Sequence, residues 1–392
     1  MIVLRNLNLV DVVHKRIREK TTLVIDRNMV STVENNDRVN PGDGVRCLDL
    51  DGCFAIPGLI DLHTHLIWSA GEDPTRTVDD EGIQLSLLHA AHNARKTLEQ
   101  GITCVRDLGS NQDVTIALGK AIERGYVPGP RVISSGCTII MTGGHDPFWG
   151  IAADGEVELI KAVRRQVLKG ARVIKISATG GVYGRQDGES VGTAELTGRE
   201  IKAVCQEAHR LGLKVAAHAI SAEGINNCIE GGVDTIEHGH FLTEEMMLRM
   251  KDRGMFWIPT LYVYKRIADG DGVPEYAVSK ARKIIEHHRD AFATALKLNL
   301  PFAAGSDAGS PNTPHGALHN ELEYMVQCGC EPFTALQAAT HSAAQALGLD
   351  DEIGSLEVGK KADMLILEQD PTKTVTNLRK PRHIIKDGTF IL

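Results

Sequence analysis

The chain opens with short β-branched runs, MIVLRNLNLV, TTLVID and GVRCLDL, separated by Asn, Asp and Gly at turn positions. Apolar and polar residues alternating on that scale predict a small antiparallel sheet. The far end repeats the signal, with ADMLILE and RHIIKDGTFIL reading as strands and DPT as a turn between them. Neither end holds enough strands to bury a face alone. Together they predict one discontinuous β-sandwich domain built from residues 1–56 and 356–392.

Between the ends the period changes. Short apolar runs (AIPGLIDLHTHL, ITCVRDL, RVISSG, RVIKISA, KVAAHA, TIEHG, FWIPTL and PFAAGSD) alternate with helical patterns such as Gly82–Gln100, Glu156–Leu168 and Gly198–Leu211. Strands alternating with helices mean an α/β fold, and eight repeats over residues 57–355 predict a (β/α)8 TIM barrel. A doubly wound open sheet is the alternative, but no G-x-G-x-x-G follows the first strand.

Composition narrows the function. The length of 392 residues accommodates a barrel with an attached domain. Lys plus Arg number 43 against 51 Asp plus Glu, a net charge of −8 with no basic block. That balance argues against nucleic acid or an anionic membrane as a partner and leaves a small-molecule substrate. The N-terminal stretch lacks the pattern of a secretory signal, and no apolar run approaches the roughly 18 residues of a membrane helix. A cytoplasmic location is expected, with oligomeric state, including a homo-oligomer, left open. The cysteines are scattered without a Cys-x-x-Cys pair and read as reduced core thiols.

The 16 histidines carry the chemistry. His63 and His65 stand two apart at the end of GLIDLHTHL, and on a strand such residues share a face and can ligate one ion. Alone, H-x-H is weak and chance histidines on a strand end explain it as well. Lys175 lies between Ile174 and Ile176 in a run that should be buried, where an unpaired ammonium is costly. His218, His238 and Asp307 end three later strands. Each has an ordinary structural explanation by itself. Six such residues at matching strand ends do not, because barrel enzymes build their sites on that face.

The order H-x-H, Lys, His, His, Asp resembles the amidohydrolase superfamily. PGLIDLHTH, TGGHD, VIKI, AHA, IEHG, GSD and GSLEVGKKADMLIL resemble its imidazolonepropionase-like and prolidase-like branch of binuclear metal-dependent hydrolases. The resemblance implies two divalent ions of the zinc class bridged by a CO2-derived carbamate on Lys175. It implies His63, His65 and Asp307 on the more buried ion and His218 and His238 on the other. A bridging hydroxide would attack a polarised carbonyl, and Asp307 would pass its proton to the leaving amine. The mononuclear deaminases are similar but carry a Glu three residues after the fifth-strand His, where this chain has Ser221.

Other candidates surround the substrate. His145 in TGGHD is placed to bind or polarise the scissile carbonyl, unless it is a surface-loop residue. Tyr262 and Tyr264 are expected at the end of the seventh strand, with Tyr264 the one taken for substrate contact and core packing the alternative. Tyr183 and Arg185 lie in the loop VYGRQDGES, where Arg185 would pair a carboxylate or simply be solvated. His287 and His288 read as a surface helix face, and His341 as structural. The reading is an amidohydrolase cleaving a peptide-like bond, a prolidase-like dipeptidase or N-acyl amino acid hydrolase. The alternative substrates on the same metals are a cyclic amide, a carbamate or urea, or an organophosphate or ester. A binding protein without turnover is disfavoured because every expected ligand position is filled.

Overall fold

A computed structural model describes residues 1–35, 45–183 and 189–391. The two chain ends meet in one eight-stranded sheet. Strands β1 (Ile2–Asp11), β2 (Arg16–Asp26) and β3 (Met29–Asn35) form an antiparallel meander, and β4 (Arg46–Asp49) runs parallel to the start of β1. Strand β5 (Phe54–Pro57) runs beside the later part of β1 and pairs antiparallel with Met364–Leu367 from the far end of the chain. Leu4, Leu7, Leu23 and Ile25 share one buried cluster with Met364, Ile366 and Ile385, so neither end is covered without the other.

The run read from the sequence as one strand, AIPGLIDLHTHL, divides at Gly58. Residues on either side belong to different sheets. A β-carbon at Gly58 would collide with the Thr103 side chain, so the crossing needs glycine. Beyond it, β6 (Leu59–Thr64) is followed by α1 (Pro74–Asp80), α2 (Ile83–Glu99), β7 (Ile102–Asp107), α3 (Val114–Glu123) and β8 (Arg131–Ser134). Strands β6, β7 and β8 are parallel neighbours and almost wholly buried, as strands covered on both faces must be.

A second parallel sheet follows. Its strands are β9 (Ile139–Ile140), β10 (Ile151–Ala152), β11 (Ile174–Ser177), β12 (Val215–Ala219), β13 (Thr235–His238) and β14 (Phe256–Ile258). Helices α4 (Gly155–Lys169), α5 (Gly198–Arg210), α6 (Ala222–Gly231) and α7 (Glu244–Asp252) connect them. Helix α5 begins in a capping box in which Thr197 and Glu200 satisfy each other's backbone N–H groups. The remaining helices are α8 (Leu261–Asp269), α9 (Glu275–Leu298), α10 (Leu318–Gln327), α11 (Pro332–Ala338) and α12 (His341–Leu347). Strands β15 (Met364–Leu367), β16 (His383–Lys386) and β17 (Thr389–Phe390) complete the terminal sheet.

Backbone hydrogen bonds link the two parallel sheets on both sides. Arg172 N–H donates to Ser134 O at 2.8 Å, joining the β8 side to the β11 side. On the other side PFAAGSD, read from the sequence as an eighth strand, is an irregular bridging segment. Ala303 N–H donates to Trp257 O, Leu62 N–H to Ala304 O, and Asp307 N–H to His63 O at 2.8 Å. The reason is local crowding. A β-carbon at Gly305 would lie 2.8 Å from His63 Cβ, and Asp307 takes a positive φ of 56°. Regular pairing is lost, but the segment stays within bonding reach of both neighbours.

Among the described residues no helix is long and apolar enough to cross a membrane. All eight cysteines are unpaired.

Candidate metal centre

His63, His65, Lys175, His218, His238 and Asp307 all line one cavity at the C-terminal ends of the parallel strands. His63 and Lys175 sit within β6 and β11, His218 and His238 at the ends of β12 and β13, His65 just beyond β6, and Asp307 in the irregular bridging segment. His63 and His65 share a face through the period-two alternation that the sequence implied. Glu237 and His238 are neighbours on β13, yet both turn inward. A positive φ of 69° at His238 reverses the alternation there. Left-handed backbone at a residue other than glycine is costly, and it falls here on two of the six candidate ligands, His238 and Asp307.

The nitrogen and oxygen donors of His63, His65 and Asp307 lie within 4.8 Å of one another, close enough for one ion. Asp307 Oδ1 is 3.3 Å from His65 Nε2 and 3.8 Å from His63 Nε2. His65 Nδ1 and Asp307 Oδ1 are buried and have no hydrogen-bond partner among the described residues. Such orphans are uncommon in a folded chain. A divalent cation fits this donor set: neutral imidazoles and a carboxylate are its ordinary ligands.

The tautomers favour metal as well. His63 Nδ1 is 2.8 Å from Glu237 Oε2, which directs its Nε2 at Asp307. His238 Nδ1 lies 2.7 Å from Thr260 Oγ1, so its Nε2 is the nitrogen left for the cavity. Burial, with the neighbouring cations, holds His218 and His238 well below the ordinary imidazole range, and burial and the Lys175 charge bring His63 down to about 4. Neutral imidazole is the form that ligates. Asp307 is ionised: burial raises its carboxyl, but the adjoining His63 and His65 bring it down to about 2.

Lys175 is 2% exposed, and burial depresses its ammonium. Glu237, Asp146 and Asp307 attract it from a distance. Among the described residues no carboxylate forms an ion pair with its Nζ. Burial thus shifts this lysine towards its neutral amine.

His145 reaches the cavity from its loop, with its ring centroid 4.2 Å from that of His218. Its Nδ1 is 2.5 Å from Glu189 Oε1 and its Nε2 3.2 Å from Asp146 Oδ1. Burial works against the imidazolium, yet Asp146 and Glu189 outweigh it and raise the group to about 9. His145 is thus a buried cation beside the ligands. Tyr264 and Tyr183 also line the cavity. Tyr264 lies on α8 and not at a strand end, because Thr260 takes a left-handed conformation (φ 48°) that turns the chain into the helix. Tyr262 packs on Tyr324 instead. Arg185 lies outside the described residues.

Two expectations need correction or completion. His288 is not on a surface face: it is 1% exposed, with its ring 3.8 Å from that of His240 and 5.6 Å from that of Tyr264, whereas His287 is exposed as expected. The polar frame behind the cavity was missed. Arg106 Nη2 donates to Glu237 at 2.8 and 2.9 Å, and its Nε donates to Leu62 O at 2.6 Å. Burial raises the Glu237 carboxyl, but Arg106 and then His63 bring it down to about 2. Both residues are charged groups inside apolar strands, the same signal that singled out Lys175.

The amidohydrolase family model matches residues 54–391. The chain belongs to that family. Ochratoxinase of Aspergillus niger is 29% identical over 369 residues, covering 85% of this chain and 74% of that protein. The crystal structure of a Xaa-Pro dipeptidase with bound methionine superposes with a TM-score of 0.90 at 30% identity, covering 99% of both chains. A prolidase complexed with N-methylphosphonate-L-proline gives 0.90 at 26% identity, over 100% of this chain and 99% of that one. This amidohydrolase is a hydrolase of C–N bonds of the amide type, with a mixed α/β fold and a His-His-Asp cluster suited to metal.

Proposed function

We propose that this amidohydrolase is a binuclear metal hydrolase of peptide-like bonds, a prolidase-like dipeptidase or N-acyl amino acid hydrolase. The observation that carries the reading is Lys175, a fully buried lysine with no ion pair among the described residues, on the wall of a cavity that also presents four histidines of the candidate set and Asp307. Carboxylation by CO2 would turn that amine into an anionic oxygen ligand and remove the cost of a buried ammonium. His63, His65 and Asp307 would hold one zinc-class ion, and His218 and His238 the second. Two such ions supply an ionised water at neutral pH and polarise a carbonyl oxygen.

The chain's own residues divide the remaining work. Glu237, neutralised by Arg106, fixes the His63 ring. Asp307, held ionised between two imidazoles, would accept the proton of the attacking water and return it to the departing amine. His145, held as a cation by Glu189 and Asp146, would lend positive charge beside the carbonyl oxygen as negative charge develops on it. Tyr264 and Tyr183 bound the space left for substrate.

The parallel strands with their connecting helices, linked by backbone bonds on both sides, support a closed (β/α)8 barrel over residues 57–355. An open doubly wound sheet would leave two free edges. Residues 1–56 and 356–392 would form the accompanying β-sandwich domain. A small-molecule substrate suits a cavity enclosed in this way.

A panel of dipeptides, N-acyl amino acids, lactams, carbamates and aryl esters tests the reading with metal-loaded protein. Turnover of dipeptides or N-acyl amino acids supports it. Turnover of those two classes no faster than with metal-stripped protein overturns it.

A further inference from the structure

A second cavity, of about 530 Å3, lies between the terminal sheet and the parallel strands, and its volume is within the range of small-molecule sites. Arg131, the first residue of β8, and Arg172, two residues ahead of β11, line it and place it by the N-terminal ends of the parallel strands. The candidate metal donors stand towards the opposite ends, and the two cavities share no lining residue. Asn28, in the turn between β2 and β3, joins Lys361 and Lys386 on the side of the terminal sheet. Helix α3 supplies the remaining wall. Its Ile116 and Ile122, with Val132 of β8, give the cavity a buried apolar surface.

Charge around this space is uneven. Arg131 is paired with Asp363 and Asp387, both at 3.0 Å, and Lys386 with Asp387 at 2.7 Å. Three further cations line the cavity without a carboxylate partner. Lys120 reaches from α3 to the turn after α4 and donates to Lys169 O at 3.1 Å. Its path runs past Gly170, where a β-carbon would lie 3.0 Å from the ammonium nitrogen. Among the described residues neither the Lys361 ammonium nor the Arg172 guanidinium makes a hydrogen bond or ion pair. Glu123 and Glu352 also line the cavity, but both are exposed and neither is paired with these three cations. Such a surplus stands out in a chain of net charge −8. A cleft lined by surplus charge of one sign concentrates counter-ions, and guanidinium and ammonium groups bind carboxylate and phosphate oxygens strongly.

We propose that this cavity binds a small organic dianion, a phosphate monoester or a dicarboxylate. Lys120, Arg172 and Lys361 receive its anionic oxygens, and the apolar wall of α3 and β8 receives its carbon skeleton. The ligand touches the terminal sheet and the parallel strands at once, beside the Arg131 pairs, so its binding ties the two parts together. The inference does not depend on the amide-hydrolase reading, because none of these residues lines the metal cavity.

Calorimetric titration of the metal-loaded protein tests the proposal, with phenyl phosphate and succinate as probes and phenol and succinamide as their neutral counterparts. At least one dianion should bind with Kd below about 1 mM, and the neutral counterparts should not bind at the same concentrations. The tighter dianion names the class of the ligand. In the Arg172→Gln, Lys361→Gln double variant Kd should rise by at least about tenfold, as expected on losing two charge-assisted hydrogen bonds, with bound metal unchanged. Dianions that bind no better than the neutral counterparts overturn the site. So does a double variant with wild-type affinity, which would place the anion elsewhere, at the metal centre included. Stability gives a second readout. The dianion at about 100 times its Kd should raise the urea midpoint of the wild type and leave that of the double variant nearly unmoved, and equal shifts in the two proteins would overturn the site.

Discussion

Glu237 illustrates what a single residue does here. It accepts two hydrogen bonds from Arg106 and one from His63, with Thr235 as a further donor, and none of these groups reaches solvent. Glu237→Gln keeps the shape and removes the charge that balances Arg106. Breaking a buried pair in this way costs about 3–5 kcal/mol, to be read as a lower urea midpoint. The His63 tautomer is released at the same time, so metal retention against a chelator should fall by about 10–100-fold. His63, His65, Lys175, His218 and His238 were legible in the sequence because histidines and a lysine stand out at the ends of apolar strands. Glu237 and Arg106 obey the same rule and were passed over, since a salt-bridged pair within a core appears only when two distant strands are brought together. Glu189 left no such signal, because its place beside His145 depends on a loop whose course local pattern does not dictate.

At the scale of elements, most of the β/α alternation could be read in advance, because buried parallel strands are continuous apolar runs. The departures occur where backbone is forced out of regular geometry. The segment 301–308 gives up strand pairing so that Gly305 can pass against His63 and Asp307 can turn into the cavity. Gly305→Ala should therefore displace His63 and lower metal retention by at least about tenfold, as measured by dialysis against chelator. Retention equal to wild type would show that the close approach has no role. Tyr264 was expected on a strand end and is carried by α8, because the left-handed turn at Thr260 is invisible to apolar periodicity. By contrast neither residue of the α5 cap lines the cavity. Thr197→Ala should cost about 1 kcal/mol in urea unfolding and leave kcat/KM unchanged.

At the scale of the whole molecule, one cluster ties the terminal sheet to the parallel strands. Arg131, at the start of β8, donates to Asp363 and Asp387, both at 3.0 Å. Burial raises the Asp387 carboxyl, but Lys386 and Arg131 outweigh it and hold it below its ordinary value. A depressed carboxyl adds stability that is fully present above its unfolded pKa of about 3.9. That contribution fades as pH falls through the folded value. The urea midpoints of wild type and Asp387→Asn should thus differ by the equivalent of up to about 1 kcal/mol at pH 6, since Asp387 is about a third exposed. They should converge in strong acid. A difference that grows as pH falls would contradict the assignment. That both chain ends share this sheet was legible from their matching strand patterns, whereas the clamp itself was not, because Arg131 and Asp387 are 256 positions apart.

All three scales converge on Lys175. Polar frame, turned backbone and linked sheets together place a buried lysine among donors suited to metal, and its proposed role as a carbamate ligand to two ions is the central claim. Elemental analysis of purified wild type and Lys175→Ala, each dialysed against metal-free buffer after loading, tests it most directly. About two divalent ions per chain are expected in the wild type, and fewer than one in Lys175→Ala, with partial recovery when acetate or propionate is supplied. Equal metal content in the two proteins, or a wild type that retains no divalent ion, would contradict the account.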